Sequence, residues 1–303
     1  MKKNLVILFV FTILFNCKNS NQDNGKLNVV TTTTMITDLV KNIGGEHINV
    51  NGLMGSGVDP HLYKASEGDV TKLVNADVIF YNGLHLEGKL VEVFEKMRSK
   101  TKTPIALGEV LDKSTLIGSD YFASNYDPHV WFNINYFKQF TKKITAVLIE
   151  KDSVNAENYK ANGTTFLAKL DTLQKSISTK IETLPKEKRI LVTAHDAFNY
   201  FGKNYGFEVV GLQGLSTATE AGVKDVQNLA NFIIEKQVKA IFVESSVPKR
   251  TIEALQEAVK SKGFDVKIGG TLYSDALGSV GTVEGSYIGM FEYNVNTIVN
   301  ALR

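Results

Sequence analysis

The sequence predicts an α/β protein made of two similar lobes, each with a parallel sheet, joined by a single long rigid helix. Three observations predict it. Short β-rich apolar runs alternate with helical periodicity up to about residue 150. The same alternation returns after residue 188, and an unbroken helical stripe lies between the two stretches. Strand–helix alternation of this kind implies parallel pairing with helices on the sheet faces.

The first lobe is expected over residues 27–150. Leu27 to Thr31 reads as a strand, and Met35 to Ile43 carries apolar residues at helical spacing before a stop at Gly44-Gly45. Ile48 to Met54 and Asp77 to Tyr81 are further strands, Leu86 to Met97 is helical, and Pro104 to Leu107 is a short strand. The connecting helix is expected over residues 154–184. It has no proline, one glycine, and apolar residues at Tyr159, Phe166, Leu170, Leu173, Ile177 and Ile181, which share one helical face. It stops at Leu184-Pro185, because a residue before proline is biased out of helix. About 30 residues would make a rod of roughly 45 Å. The second lobe, residues 188–303, repeats the pattern. Its strands are Arg189 to Thr193, Phe207 to Leu212, Val238 to Val243 and Val266 to Gly269. Its helices are Ala197 to Asn204, Val223 to Glu235, Pro248 to Lys262 and Tyr287 to Leu302.

Residues 1–16 stand outside the fold. Lys2 and Lys3 precede an apolar run from Leu5 to Phe15, too short for a membrane span and of the length of a signal-peptide core. The run ends at Cys17, the single cysteine of the chain, which excludes an intramolecular disulfide. A cysteine directly after such a run resembles a bacterial lipobox, in which the cysteine is lipidated. Phe15 and Asn16 are larger than the residues usual before that cleavage point, so an ordinary secretory signal remains the alternative. Residues 17–26 read as the lipidated cysteine and a flexible tether. Either way the protein is expected to be exported to the cell envelope.

The chain carries a formal charge of +2, and without its first 16 residues the count is 32 basic against 32 acidic. There is no basic stripe, which argues against a nucleic-acid partner. The unusual feature is a doubled turn, Asp59-Pro60-His61 and Asp127-Pro128-His129, followed by His195 after the strand that ends at Thr193. Proline restricts the backbone and presents each loop histidine in a fixed way. In an open parallel sheet, ligands bind beyond the carboxyl ends of the strands. His61, His129, His195 and Asp275 all lie there, so each lobe would offer two ligands to a metal cleft between the lobes. Three imidazoles and a carboxylate suit zinc, manganese or iron(II), and four protein ligands can close a tetrahedral zinc shell. Asp59 and Asp127 are expected to cap their turns, and Trp131 to pack. His47 is expected to be exposed and His85 to cap a helix or be exposed. Thr31 to Thr34 offer hydroxyls near the cleft, or a strand end and a helix cap.

Four segments carry a family resemblance: Asp59-Pro60-His61-Leu62-Tyr63, Asp127-Pro128-His129-Val130-Trp131-Phe132, the stretch from Thr193 through His195 to Phe201, and Leu272 through Asp275 to Gly278. Gly211 to Thr217 and Val243 to Ser246 add to it. Together they resemble the zinc/manganese-binding lipoproteins that serve ABC importers, the TroA-like, ZnuA-like or cluster A-I solute-binding proteins. The likeness runs from about residue 27 to 302. It implies the lobe–helix–lobe fold and His61, His129, His195 and Asp275 as ligands. It also implies an ABC permease and its ATPase as partners, and no enzymatic reaction. Manganese-devoted members tend to have Glu at the third ligand position, whereas zinc and mixed-metal members have His, as here at His195. Many zinc members carry a His- and acid-rich loop that this chain lacks. Zinc is therefore the first expectation, with manganese or iron behind it.

The reading is an extracytoplasmic receptor, expected to be a monomer, that delivers a divalent metal to an importer. A rival is a zinc hydrolase with Glu220 or Glu244 as general base; a surface adhesin is a third. Against the hydrolase stand the fourth ligand and the lack of a His-Glu-x-x-His motif.

Overall fold

The computed structural model describes residues 25–98, 103–120 and 122–303. The expected signal segment, Cys17 and the tether up to residue 24 lie outside the described residues. No described helix is long and apolar enough to cross a membrane.

The chain runs β1 (Leu27–Thr31), α1 (Thr34–Gly44), β2 (Ile48–Gly52), α2 (Glu67–Asn75), β3 (Val78–Tyr81), α3 (Val91–Arg98) and β4 (Ile105–Ala106). These strands form a parallel sheet in the order β2-β1-β3-β4. Two helices follow, α4 (Ile134–Lys151) and α5 (Ala156–Glu182). The second lobe holds β5 (Ile190–His195), α6 (Asn199–Tyr205), β6 (Glu208–Gln213), α7 (Val223–Glu235), β7 (Ala240–Glu244), α8 (Arg250–Ser261), β8 (Lys267–Leu272) and α9 (Tyr287–Leu302). Its parallel sheet has the order β6-β5-β7-β8, the same winding as the first.

Local chemistry explains the boundaries. The Thr33 hydroxyl caps α1, and Gly45 ends it with a φ of 55°, a conformation that costs glycine little. Ser66 and Asp69 form a capping box on α2. The Asn133 side chain accepts from the N–H groups of Asn135 and Tyr136 at the start of α4. Pro248 falls just outside α8 rather than in its first turn.

Two helices go beyond the sequence expectation, α2 and α4. The second of these matters for the connector. The helix expected over 154–184 is α5, and its buried stripe contains all six predicted residues together with Gly163. It does not stand alone: α4 folds back along it, tied by Lys138 to Asp171 at 2.6 Å and to Gln174 at 2.9 Å. A Cβ on Gly163 would sit 2.5 Å from the Thr145 hydroxyl, so the two helices approach too closely there for any larger residue. At 27 residues α5 is about 40 Å long. It packs on α1 from the first lobe and on α9 from the second.

The period-two alternation of the strands divides the core in three. Val29, Leu191 and Phe242 point into one continuous cluster with Leu39, Phe137, Ile144, Leu170, Ile177, Phe291 and Val295. Their strand neighbours point outward: Val30 joins Leu73, Ile79 and Phe94 beneath the first sheet's other face. Val192 and Ile241 join Leu229, Ile233 and Leu255 in the second lobe. Each sheet therefore has a private outer core, while both inner faces rest on one shared core. That shared core fixes the carboxyl ends of the two sheets relative to each other.

His47 is half-buried, not exposed as the sequence implied, because its ring meets Tyr159 of α5 edge-on at 6.2 Å. His85 is exposed, in a left-handed turn with a φ of 62°.

Candidate metal centre

The two Asp-Pro-His turns are built alike. Asp59 Oδ1 accepts from the His61 backbone N–H at 2.8 Å, and Asp127 Oδ1 from that of His129 at 2.9 Å. Each aspartate caps its own turn, as the motif predicts. The second aspartate also reaches the ring: His129 Nδ1 lies 2.8 Å from Asp127 Oδ1. A neutral imidazole that donates there keeps its Nε2 lone pair free for a cation. The third histidine, His195, is the last residue of β5, and Asp275 follows the end of β8 by three positions.

These four residues converge. His61 Nε2 and His129 Nε2 face each other at 3.3 Å. Asp275 Oδ2 is 3.2 Å from His195 Nε2 and 3.8 Å from His61 Nε2, and Asp275 Oδ1 is 3.6 Å from His129 Nε2. Tetrahedral zinc with bonds of 2.0–2.1 Å would separate its donors by about 3.3 Å. The site is closed: His61 is 5% exposed, Asp275 1%, and His129 and His195 are fully buried. Among the described residues this is the one grouping of His, Cys, Asp and Glu with metal-ligating geometry.

Both oxygens of Asp275 and the Nε2 of His195 accept or donate no well-aligned hydrogen bond. A buried carboxylate without donors is costly, and a cation between the four groups removes that cost. The donor set, three borderline nitrogens and a carboxylate, fits a divalent transition metal or zinc.

Glu244 supports His195 from the neighbouring strand β7. Its Oε1 accepts from the His195 backbone N–H at 2.9 Å. Its Oε2 lies 2.7 Å from the ring Nδ1, an ion contact oblique to the ring rather than an aligned hydrogen bond. The electrostatics follow. Burial alone would lower the pKa of His195, but Glu244 and Asp275 outweigh it and hold the ring well above its ordinary value. Burial pushes His61 down to about 3, against the pull of Asp275. Burial would raise the carboxyl of Asp275, yet His195, His129 and His61 hold it below the usual carboxylate range.

The threonines of the β1–α1 junction make their hydrogen bonds outside the cluster of four. Thr31 pairs with Thr37, Thr32 donates to the buried Glu87, and Thr34 accepts from Leu277. Trp131 packs as expected, and it also donates to Ser274 O at 2.9 Å. Several supporting groups lie in segments that carry the family resemblance, but the sequence assigned them no role. Thr217 donates to Asp59 Oδ2 at 2.5 Å, Asn199 to Asp127 Oδ2 at 3.0 Å, and Tyr200 to Asp127 O at 3.0 Å. Each bridges from the second lobe to a turn of the first, between residues too distant in sequence for any periodicity to connect.

Two sheets of one winding, a helical rod between them and a three-histidine, one-aspartate cluster at their facing ends define a class of two-lobe metal-binding proteins. The ZnuA family, described as zinc-uptake complex component A, periplasmic, matches residues 29–301, and the chain belongs to it. The manganese-binding lipoprotein MntA of Bacillus subtilis (strain 168) is 46% identical over 300 residues, covering 98% of this chain and 97% of that protein. The zinc-binding protein TroA of Treponema pallidum (strain Nichols) is 46% identical over 298 residues, covering 98% and 96%. The solved structure of Treponema pallidum TroA matches with a TM-score of 0.89 at 47% identity, over 92% of this chain and 99% of that one.

Proposed function

We propose that this protein is an extracytoplasmic receptor that captures one divalent metal ion between its lobes and delivers it to an ABC permease, whose ATPase drives import. His61, His129 and His195 bind through Nε2, and Asp275 through its carboxylate. The observation that carries this reading is the buried carboxylate of Asp275, without a well-aligned hydrogen bond to either oxygen, ringed by three imidazole nitrogens at 3.2–3.8 Å.

Zinc is the first choice of cargo. It is supported by a four-residue donor set that can close a zinc shell, by a histidine at position 195, and by the usual affinity order, which places zinc above manganese. Manganese and iron(II) follow, since both oxygens of Asp275 face the cluster and a second oxygen would raise the coordination number. The similar MntA carries manganese in its name and TroA zinc.

The receptor performs no reaction. Glu244, the stronger candidate for a hydrolytic base, is committed to His195 on the side of the ring away from the ligand nitrogen. Glu220 is exposed and sits 3.7 Å from Arg250. Cleavage of residues 1–16 and lipidation of Cys17 would tether a monomer to the membrane through residues 17–26, with lobes at 27–150 and 188–303 about the 154–184 helix. Relatives named as lipoproteins support that anchor.

The deciding experiment offers metal-stripped protein equal zinc, manganese and iron(II) without oxygen and measures bound metal by elemental analysis. One equivalent is expected, mostly zinc, and is lost on His195→Ala. Retention of no metal would overturn the receptor reading.

A further inference from the structure

Asp275 belongs to the second lobe by sequence, yet its backbone is held by side chains of the first. Trp131 Nε1–H donates to Ser274 O, one residue before the ligand, at 2.9 Å. The Leu277 N–H, two residues after it, donates to Thr34 Oγ1 at 2.8 Å. Ser56 Oγ donates to Leu277 O at 2.9 Å. Further along, the Tyr287 N–H at the start of α9 donates to Asp38 Oδ2 of α1 at 2.9 Å. Trp131 is itself fixed: its carbonyl accepts from the Tyr287 hydroxyl at 2.6 Å, and its indole meets the His129 ring edge-on at 5.3 Å.

Two of the three buried rings, His129 and His195, have a carboxylate of their own behind them. Asp127 stands at Nδ1 of His129 and Glu244 at Nδ1 of His195. Asp275 has no such partner outside the cluster, and neither of its oxygens takes a well-aligned hydrogen bond. Its direction is therefore set through its backbone, which Asn294 of its own lobe holds at Tyr273 and the opposite lobe brackets more closely, at Ser274 and Leu277. Ser274 is fully buried and Trp131 only 2% exposed, so water does not compete for the bond between them.

We propose that Trp131 and Thr34 are positioning residues for Asp275, and that the carboxylate is presented to the metal only when the first lobe grips the loop on both sides of it. The proposal rests on the metal-receptor reading and adds a condition to it. The fourth ligand answers to lobe docking, whereas His195 is oriented within its own sheet.

A double-mutant cycle tests this, with zinc affinity of the full-length, metal-stripped protein measured by chelator competition. Trp131→Phe keeps the aromatic volume and removes the donor, and Thr34→Val keeps the shape and removes the hydroxyl. Each is expected to weaken zinc binding by about 10- to 100-fold, the usual range for groups that orient a metal ligand. In an Asp275→Ala background the same substitutions should change affinity by less than about twofold, because the ligand they position is gone. In a His61→Ala background they should keep their full effect. Equal losses with and without Asp275 would overturn the clamp and leave the receptor intact. Wild-type protein that binds no zinc would defeat the receptor reading and the clamp with it. Thr34 is half-buried, so Thr34→Val carries the cycle alone if Trp131→Phe does not fold.

Discussion

His129 and His195 present the same atom to the same point, but they are held in opposite ways. His129 sits in a proline turn, and its supporting carboxylate, Asp127, is two residues away and serves both the backbone N–H and the ring. His195 ends a strand, and its carboxylate, Glu244, is 49 residues away at the end of the adjacent strand. One ring is oriented by a local motif and the other by sheet order. The local motif is then braced from outside: Asn199 and Tyr200 of α6 bond Asp127. A turn needs this bracing because it has no sheet around it, whereas β5 is paired on both sides.

The largest effects should come from removing either ring. His129→Ala and His195→Ala are each expected to weaken metal binding beyond the 10- to 100-fold typical of a group behind a ligand. The comparison appears in the metal-free proteins. His195→Ala leaves Glu244 buried with one backbone donor, while in His129→Ala the Asp127 carboxylate keeps Asn199 and the backbone N–H. Metal-free His195→Ala should therefore melt at a lower temperature than metal-free His129→Ala. The reverse order by calorimetry would show that the strand, not the turn, tolerates the loss.

Next in size are the carboxylates themselves. Glu244→Gln and Asp127→Asn should each cost about 10- to 100-fold in zinc affinity by chelator competition. Asp127→Asn faces an added conflict, because an amide nitrogen at Oδ2 would meet the Asn199 donor. A normal affinity in Glu244→Gln would mean that the sheet alone orients His195.

The pH response separates the rings further. A proton on a ligand nitrogen competes with the metal, so affinity falls as pH drops below the pKa of that ring in the empty site. Glu244 and Asp275 raise His195 well above 6.5, so its proton still competes at neutral pH. Burial takes His61 down to about 3, so that ring stays neutral and adds no slope above pH 4. The sequence alone places the onset of weakening near pH 6.5 from the ordinary histidine value; the structure moves it higher. Zinc affinity should therefore begin to decline at a pH above 6.5, with a slope that approaches about tenfold per unit for one proton. Affinity that stays flat until the pH falls below 6.5 would contradict the hold of Glu244 and Asp275 on His195.

The same contrast explains what was readable in the chain. The Asp-Pro-His turns and the α5 stripe are local, and each could be read from residues within a few turns of one another. The sequence expectation stops short of the partner of α5: an apolar face of that length must bury against something, and the residues Ile134, Phe137, Phe140 and Ile144 of the unassigned helix α4 supply it. Glu244 could not be placed this way. Its type marks it as a candidate base, and only the adjacency of β5 and β7 shows that it serves His195. Thr217, Asn199 and Tyr200 lie in stretches that carry the resemblance, yet their bracing roles were illegible for the same reason, since contacts made by folding two lobes onto a shared core leave no spacing in the sequence.

The smallest effect tests whether the turn of His129 needs its outside brace. The Tyr200 hydroxyl donates to Asp127 O at 3.0 Å and accepts from the Ile117 N–H at 3.1 Å, at a residue only 1% exposed. Tyr200→Phe removes both bonds and keeps the ring that packs edge-on against Tyr136 at 5.6 Å. A buried neutral hydrogen bond contributes about 1 kcal/mol, so zinc affinity should fall about fivefold if the brace acts on the ligand. A comparable loss of thermal stability with unchanged affinity would mean that Asp127 and Pro128 hold His129 unaided. The two histidines would then be equally self-sufficient within their lobes, and dependence on lobe docking would belong to Asp275 alone.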